Sequence, residues 1–100
     1  MIVTVFRSRL KSGAREAYDP MAVRMSELAR SMPGYVSHKV FTADDGERVT
    51  IVEFADMESH RAWGAHAEHR AAQRQGRADF YSEYKLQVCE IVRESHKTVE

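Results

Sequence analysis

The sequence predicts an α+β domain of ferredoxin-like type: a four-stranded antiparallel sheet with helices on one face, in the order β-α-β-β-α-β. Three observations carry this. Runs rich in β-branched and aromatic residues fall at 2–10, 35–43, 48–55 and 83–93. Helical spacing of apolar residues fills the gap between the first two runs, and a second helical region lies between the last two. Between the middle two, Asp44-Asp45-Gly46-Glu47 is a hairpin turn signal, so those strands pair antiparallel.

The first strand, IVTVFRSRL at 2–10, places Val3, Val5, Arg7 and Arg9 on one face and Ile2, Thr4, Phe6, Ser8 and Leu10 on the other. From 14 to 32, Ala14, Ala17, Tyr18, Met21, Met25, Leu28, Ala29 and Met32 form an apolar stripe. Pro20 interrupts it, because a proline inside a helix removes a hydrogen bond. The pattern therefore predicts one helix kinked near Tyr18, or a turn at 14–18 and a main helix at 20–32 capped by Asp19. Met32-Pro33-Gly34 ends it.

The second strand, 35–43, carries His38 in phase with Val36 and Val40. The third, 48–55, alternates Val49, Ile51, Glu53 and Ala55 with Thr50, Val52 and Phe54. Asp56 caps a two-turn helix at 57–65, and a second helix or bent continuation covers 67–79, loosened by Gly76. The fourth strand spans 83–93. A single domain over 1–95 with a polar tail at 96–100 is expected.

Helices cover only one face of such a sheet, yet the first, third and fourth strands are apolar on both faces. Two sheets packed face to face would remove that exposed surface, so a homodimer is expected. Glu53, a carboxylate among apolar residues, then reads as one half of an ion pair across the dimer or as a functional acid, the ion pair being favoured. Cys89 reads as a packed, inert thiol in the middle of its strand.

Charge narrows the partners. The 100 residues include 15 basic and 15 acidic ones. A neutral chain lacks the basic surplus that nucleic acid or an anionic membrane surface requires. No apolar run approaches the roughly 20 residues of a membrane helix. Met1-Ile2-Val3 passes straight into a strand pattern, so no signal peptide is expected, and one cysteine permits no internal disulfide. A cytoplasmic location follows as the default.

Side chains capable of chemistry concentrate between His60 and Tyr84. His66 and His69 stand at i, i+3 and, with His60, raise the question of a metal; no acidic residue or cysteine supports them at helical spacing, so no metal is expected. One of these histidines is a candidate proton-handling group, against a solvated or capping role. Trp63 reads as a core aromatic or as the flat wall of a ligand site. Tyr81 and Tyr84 bracket the start of the last strand, one packed and one presenting its hydroxyl, and Tyr18 could do the same from the opposite wall. His38 points either into a helix-side pocket or into the dimer interface. There is no Gly-rich phosphate loop, no G-x-S-x-G and no C-x-x-C, so nucleotide and flavin cofactors are not supported.

Several stretches resemble the antibiotic biosynthesis monooxygenase family of dimeric α+β barrels: Met1 to Phe6, Met32-Pro33-Gly34-Tyr35, Phe54-Ala55-Asp56, His60-Arg61-Ala62-Trp63, Ala65-His66-Ala67-Glu68-His69, Phe80-Tyr81 and Leu86-Gln87-Val88-Cys89. The resemblance implies a small aromatic substrate (a phenol, anthrone or hydroquinone) bound between sheet and helices and oxidised by O₂ without metal or flavin. It implies Trp63 as pocket wall, His66 or His69 as the proton-handling group, and Tyr81 or Tyr84 as hydrogen-bonding group. The family's haem-degrading branch pairs a first-strand asparagine with a helix tryptophan and a histidine ten residues later. Here Gln73 stands at that distance from Trp63 and the first strand has no asparagine, so that branch does not fit. The expected function is thus a cofactor-independent monooxygenase or quinol oxidase. The alternative is a non-catalytic dimer of the same fold that binds a small ligand, with no histidine facing its cavity.

Overall fold

A computed structural model describes residues 1–99. The elements are β1 (Ile2–Leu10), α1 (Arg15–Arg30), β2 (Tyr35–Thr42), β3 (Arg48–Phe54), α2 (Met57–Ala65), α3 (Ala67–Gln75), a π-helical turn (Gly76–Phe80) and β4 (Tyr81–Glu90). The strands form one antiparallel sheet in the order β2-β3-β1-β4. This is the expected ferredoxin-like arrangement.

Pairing register fixes which residues share a face. Thr4 stands opposite Val52 and Val88, and Phe6 opposite Thr50 and Leu86. His38 pairs with Val52 and Val40 with Thr50. These residues face the helices. The uncovered face carries Val3, Val5, Val49, Ile51 and Glu53, in the phase the alternation predicts.

The helix side closes over a core of Ala29, Phe54 and Trp63, packed about by Met25, Leu28, Met32, Tyr35 and Val52. Phe54 is fully buried. Asp56 caps α2 as expected, its Oδ1 accepting from the Ser59 N–H at 2.8 Å. Gly46 takes φ +91° in the β2–β3 turn. Gly34 takes φ +80°, and a Cβ there would collide with the Ser59 side chain, so both backbone and packing require glycine.

One alternative is decided and two expectations change. First, α1 is the single helix of the two alternatives and runs through Pro20, with Asp19 reaching back to Arg15 at 3.5 Å instead of capping a shorter helix. Buried Tyr18 and Ala29 anchor the helix on either side of the proline, and tertiary packing outweighs one missing bond. Second, α3 gives way at Gly76 to the π-helical turn, and β4 runs 81–90, not 83–93. Gly76 is buried, not loosening: a Cβ there would stand 2.5 Å from Tyr81 Cε2, so its missing side chain makes room for that ring. Third, Cys89 is exposed. It pairs with Val3 on the face the helices leave open, at a sheet edge. No helix or strand follows Glu90 among the described residues, and the last residue of the expected 96–100 tail lies outside them. Among the described residues no helix is long and apolar enough to cross a membrane.

Candidate active site

A cavity of about 340 Å³ lies between sheet and helices. Thr4 and Phe6 of β1 and Thr50 and Val52 of β3 form its floor; Met21 and Met25 of α1, Trp63 of α2 and Ala72 of α3 form its roof. Val40, Tyr84 and Leu86, also in its wall, are each more than two-fifths exposed, so the cavity stays open to solvent. Of the seven residues singled out from sequence, His38, Trp63, His69, Tyr18, Tyr81 and Tyr84 line it, and His66 does not.

The chain bends between α2 and α3, and the bend separates the two histidines. His66 has extended backbone and serves as last cap of α2 and first cap of α3. Its Nδ1 accepts from the Glu68 N–H at 3.2 Å. The i, i+3 spacing that suggested a shared ligand therefore does not apply, since His66 is not helical. Among the described residues, no three His, Cys, Asp or Glu side chains are grouped to hold a metal ion.

His69, one turn into α3, turns back under α2. Its ring stacks on Trp63 at 3.9 Å with 10° between planes. Its Nδ1 lies 2.9 Å from the Trp63 carbonyl oxygen. A carbonyl only accepts, so Nδ1 carries the proton and the neutral ring presents Nε2 as a lone pair. Burial holds His69 below the ordinary imidazole value, opposed by the bond to the Trp63 carbonyl and reinforced by His66 and His60. The neutral form thus prevails at pH 7. Trp63 is at once core aromatic and pocket wall.

His38 faces the helix side, which settles the choice left open above. Tyr35 Oη sits 2.7 Å from its Nδ1 and Ser26 Oγ 3.1 Å from its Nε2. Both nitrogens are engaged. Burial, then Arg30, lower its pKa. His60 also lines the cavity, and its buried Nδ1 has no partner among the described residues. Burial, then Arg61, lower its pKa too.

Tyr81 and Tyr84 stand three apart on β4, where strict alternation would send them to opposite faces. They share the cavity because the register slips: Arg9 pairs with Glu83 and Leu10 with Tyr81, leaving Ser82 as an inserted bulge residue. Their rings lie 6.2 Å apart. Tyr81 also meets Tyr18 edge-on at 6.0 Å and Phe6 at 5.4 Å. Burial, with Tyr18 beside it, pushes the Tyr81 phenol far up, so it remains a hydrogen-bond donor at any physiological pH.

Two guanidinium groups join this end of the cavity, and the residue-type search missed both. Arg48, first residue of β3, lies over the Tyr18 ring at 5.0 Å. Arg77 enters from the π-helical turn. The signal for Arg48 was present: it shares the phase of Thr50, Val52 and Phe54, hence the helix-facing side. Nothing in the pattern singled out Arg77, because an arginine in a polar helix is ordinarily solvated. Among the described residues no Asp or Glu lines the cavity.

A family model of antibiotic biosynthesis monooxygenases matches residues 1–75. The chain belongs to the antibiotic biosynthesis monooxygenase family. The uncharacterized protein YqjZ of Bacillus subtilis is 31% identical over 90 residues, covering 90% of this chain and 79% of YqjZ. The fold is that of SnoaB, a cofactor-independent oxygenase from Streptomyces nogalater (TM-score 0.78, 18% identity, 93% and 94% of the two chains). It is also that of Rv0793 from Mycobacterium tuberculosis (TM-score 0.84, 16% identity, 95% and 98%). The two solved structures share the fold; the side chains lining the cavity are this chain's own.

Proposed function

We propose that the protein is a cofactor-independent oxygenase of a small, flat phenol, anthrone or hydroquinone. The observation that carries this is His69, held by the Trp63 carbonyl in the tautomer whose free Nε2 can accept a proton. Trp63 supplies the flat wall, and the Tyr81 or Tyr84 hydroxyl donates to the substrate's ketone or phenolate oxygen. His69 takes a proton from the substrate, and the electron-rich anion passes electrons to O₂. For an anthrone, one O₂ is consumed, the methylene becomes a carbonyl and one water leaves. For a hydroquinone, the quinone and hydrogen peroxide form. His66, committed to its helix cap, drops out of the catalytic candidates.

The alternative of a non-catalytic ligand carrier fits less well. It calls for a cavity without histidines and with its polar atoms paired inside the chain, whereas three histidines line this one and two buried nitrogens lack partners. The apolar open face supports a homodimer, with Glu53 paired across it, and Phe41, 48% exposed on that face, adds to the surface a second copy would cover. A lone cysteine fits a cytoplasmic setting.

Oxygen uptake on a panel of hydroquinones and anthrones, in the presence of a chelator, tests the proposal. Turnover that persists with chelator, falls with His69→Gln and survives His66→Ala is expected. Absence of turnover on every substrate, or full activity of His69→Gln, would overturn it. Light scattering of the eluted peak checks the dimer.

A further inference from the structure

We infer that Arg48 is an anion-binding subsite, and that the ligand of this cavity is an aromatic acid whose carboxylate pairs with it. The inference rests on the cavity being the substrate site and adds the class of substrate.

Arg48 differs from the chain's other arginines. On the surface, Arg7 reaches Glu47 at 2.8 Å, Arg9 reaches Asp45 at 2.7 Å, and Arg24 reaches Glu68 at 2.6 Å. Exposed arginines without such a partner are satisfied by water. Arg48 has neither solution: among the described residues no carboxylate lies within ion-pair distance, and its Nε is buried with no hydrogen-bond partner. The residue as a whole is half-buried, but a buried N–H left unpaired is costly, so this edge of the guanidinium lacks an acceptor.

The acceptor must come from the cavity side. The Tyr18 ring packs against the guanidinium and can offer only its π face. Arg48 also lines a second depression with Arg9, Lys11, Arg15 and Asp45, where Asp45 and Glu83 are taken by Arg9 and so do not reach Arg48. Among the described residues no acidic side chain lines the cavity to compete for the cation. A carboxylate in the cavity can take the Nη–H groups of the guanidinium in charge-assisted bonds, and the side-on, two-bond geometry with Nε–H requires the side chain to turn and open that atom. Spacing suits such a ligand. Arg48 and Val52 are four residues apart on one strand, roughly 13 Å, and Val52 packs against the Trp63 cluster. A two- or three-ring aromatic can therefore stack toward Trp63 and His69 with its carboxylate at Arg48.

The test is calorimetric binding of two redox-inert ligands of one shape, 2-naphthoate and neutral 2-naphthamide, to the full chain. Neither needs to turn over, so the result is independent of whether the protein is an oxygenase. Naphthoate is expected to bind about tenfold or more tightly than naphthamide, as charge-assisted bonds to a desolvated guanidinium should give. Arg48→Gln should bring the ratio near one while leaving naphthamide affinity in place, and Arg48→Lys should keep part of the preference. Equal affinities in the unaltered protein, no binding of either ligand, or a preference that survives Arg48→Gln would overturn the assignment. Should Arg48→Gln fail to fold, the ratio in the unaltered protein decides the matter.

Discussion

The two ends of the cavity are built on opposite principles. At the Trp63 end most polar groups are tied down within the chain: His69 donates to the Trp63 carbonyl, and His38 is held between Tyr35 and Ser26. His60 Nδ1 is the exception. At the Arg48 end, aromatic rings crowd together but the guanidinium is left without an anion. A group already bonded to its own chain is aimed before any ligand arrives. A group without a partner shows where the ligand's own polar atom belongs. Preorganised chemistry at one end and a vacancy for charge at the other make the cavity directional.

The sharpest way to break this contrast is Trp63→Ala. It empties the core and removes the surface against which His69 stacks, so a loss of about 3–5 kcal/mol in stability is expected from denaturant titration, with oxygen uptake abolished. His69→Gln keeps much of the volume but removes the base, and turnover should fall about 10²- to 10⁴-fold. His66→Ala, three residues away, should leave the rate within about twofold, since that side chain caps a helix and has no part in the proton transfer. Equal losses in the two variants would erase the distinction between them. Tyr81→Phe should reduce the rate by roughly tenfold, the worth of one hydrogen bond.

Acidity sharpens the comparison further. His38, His60 and His69 all have pKa values below the ordinary imidazole value. Their neutral forms are therefore complete above about pH 6.5. Turnover should be level above neutrality and decline only as pH falls through the depressed value of His69, because protonation consumes the Nε2 lone pair. Stability should follow the same sense. The unfolded chain takes up protons at higher pH than the folded one, so stability is full above about pH 6.5 and is lost as pH drops below it. A rate that climbs through pH 8 would point to a different base. The smallest effect belongs to Tyr35→Phe, which leaves His38 Nδ1 without its partner; about 1 kcal/mol of stability, with turnover unchanged, is expected.

The fold could be read because it rests on periodicity: each strand face follows from alternation, and the hairpin from Gly46. Most of the site was also legible by residue type, since Trp63, His69, Tyr81 and Tyr18 are chemically distinctive. What escaped were features that depend on breaks in periodicity. The kink at His66 converts an i, i+3 histidine pair into one cap and one base. Pro20 left one helix or two open, and packing decides for one. Arg48 could have been placed by phase, but its lack of a partner depends on where every carboxylate ends up, which no local pattern records.

The single inserted residue at Ser82 bears on how relatives of this chain should be compared. Were Ser82 held in regular alternation with no bulge, everything from Glu83 onward would exchange inside for outside: Tyr84 and Leu86 would leave the cavity, and Glu83 and Lys85 would turn toward it. Deleting Ser82 altogether would instead keep those residues on their present faces, because Tyr81, Glu83 and Tyr84 would then alternate in, out, in. A relative with a one-residue gap at this point thus encloses the same side chains, whereas one that keeps the residue and straightens the strand encloses different chemistry.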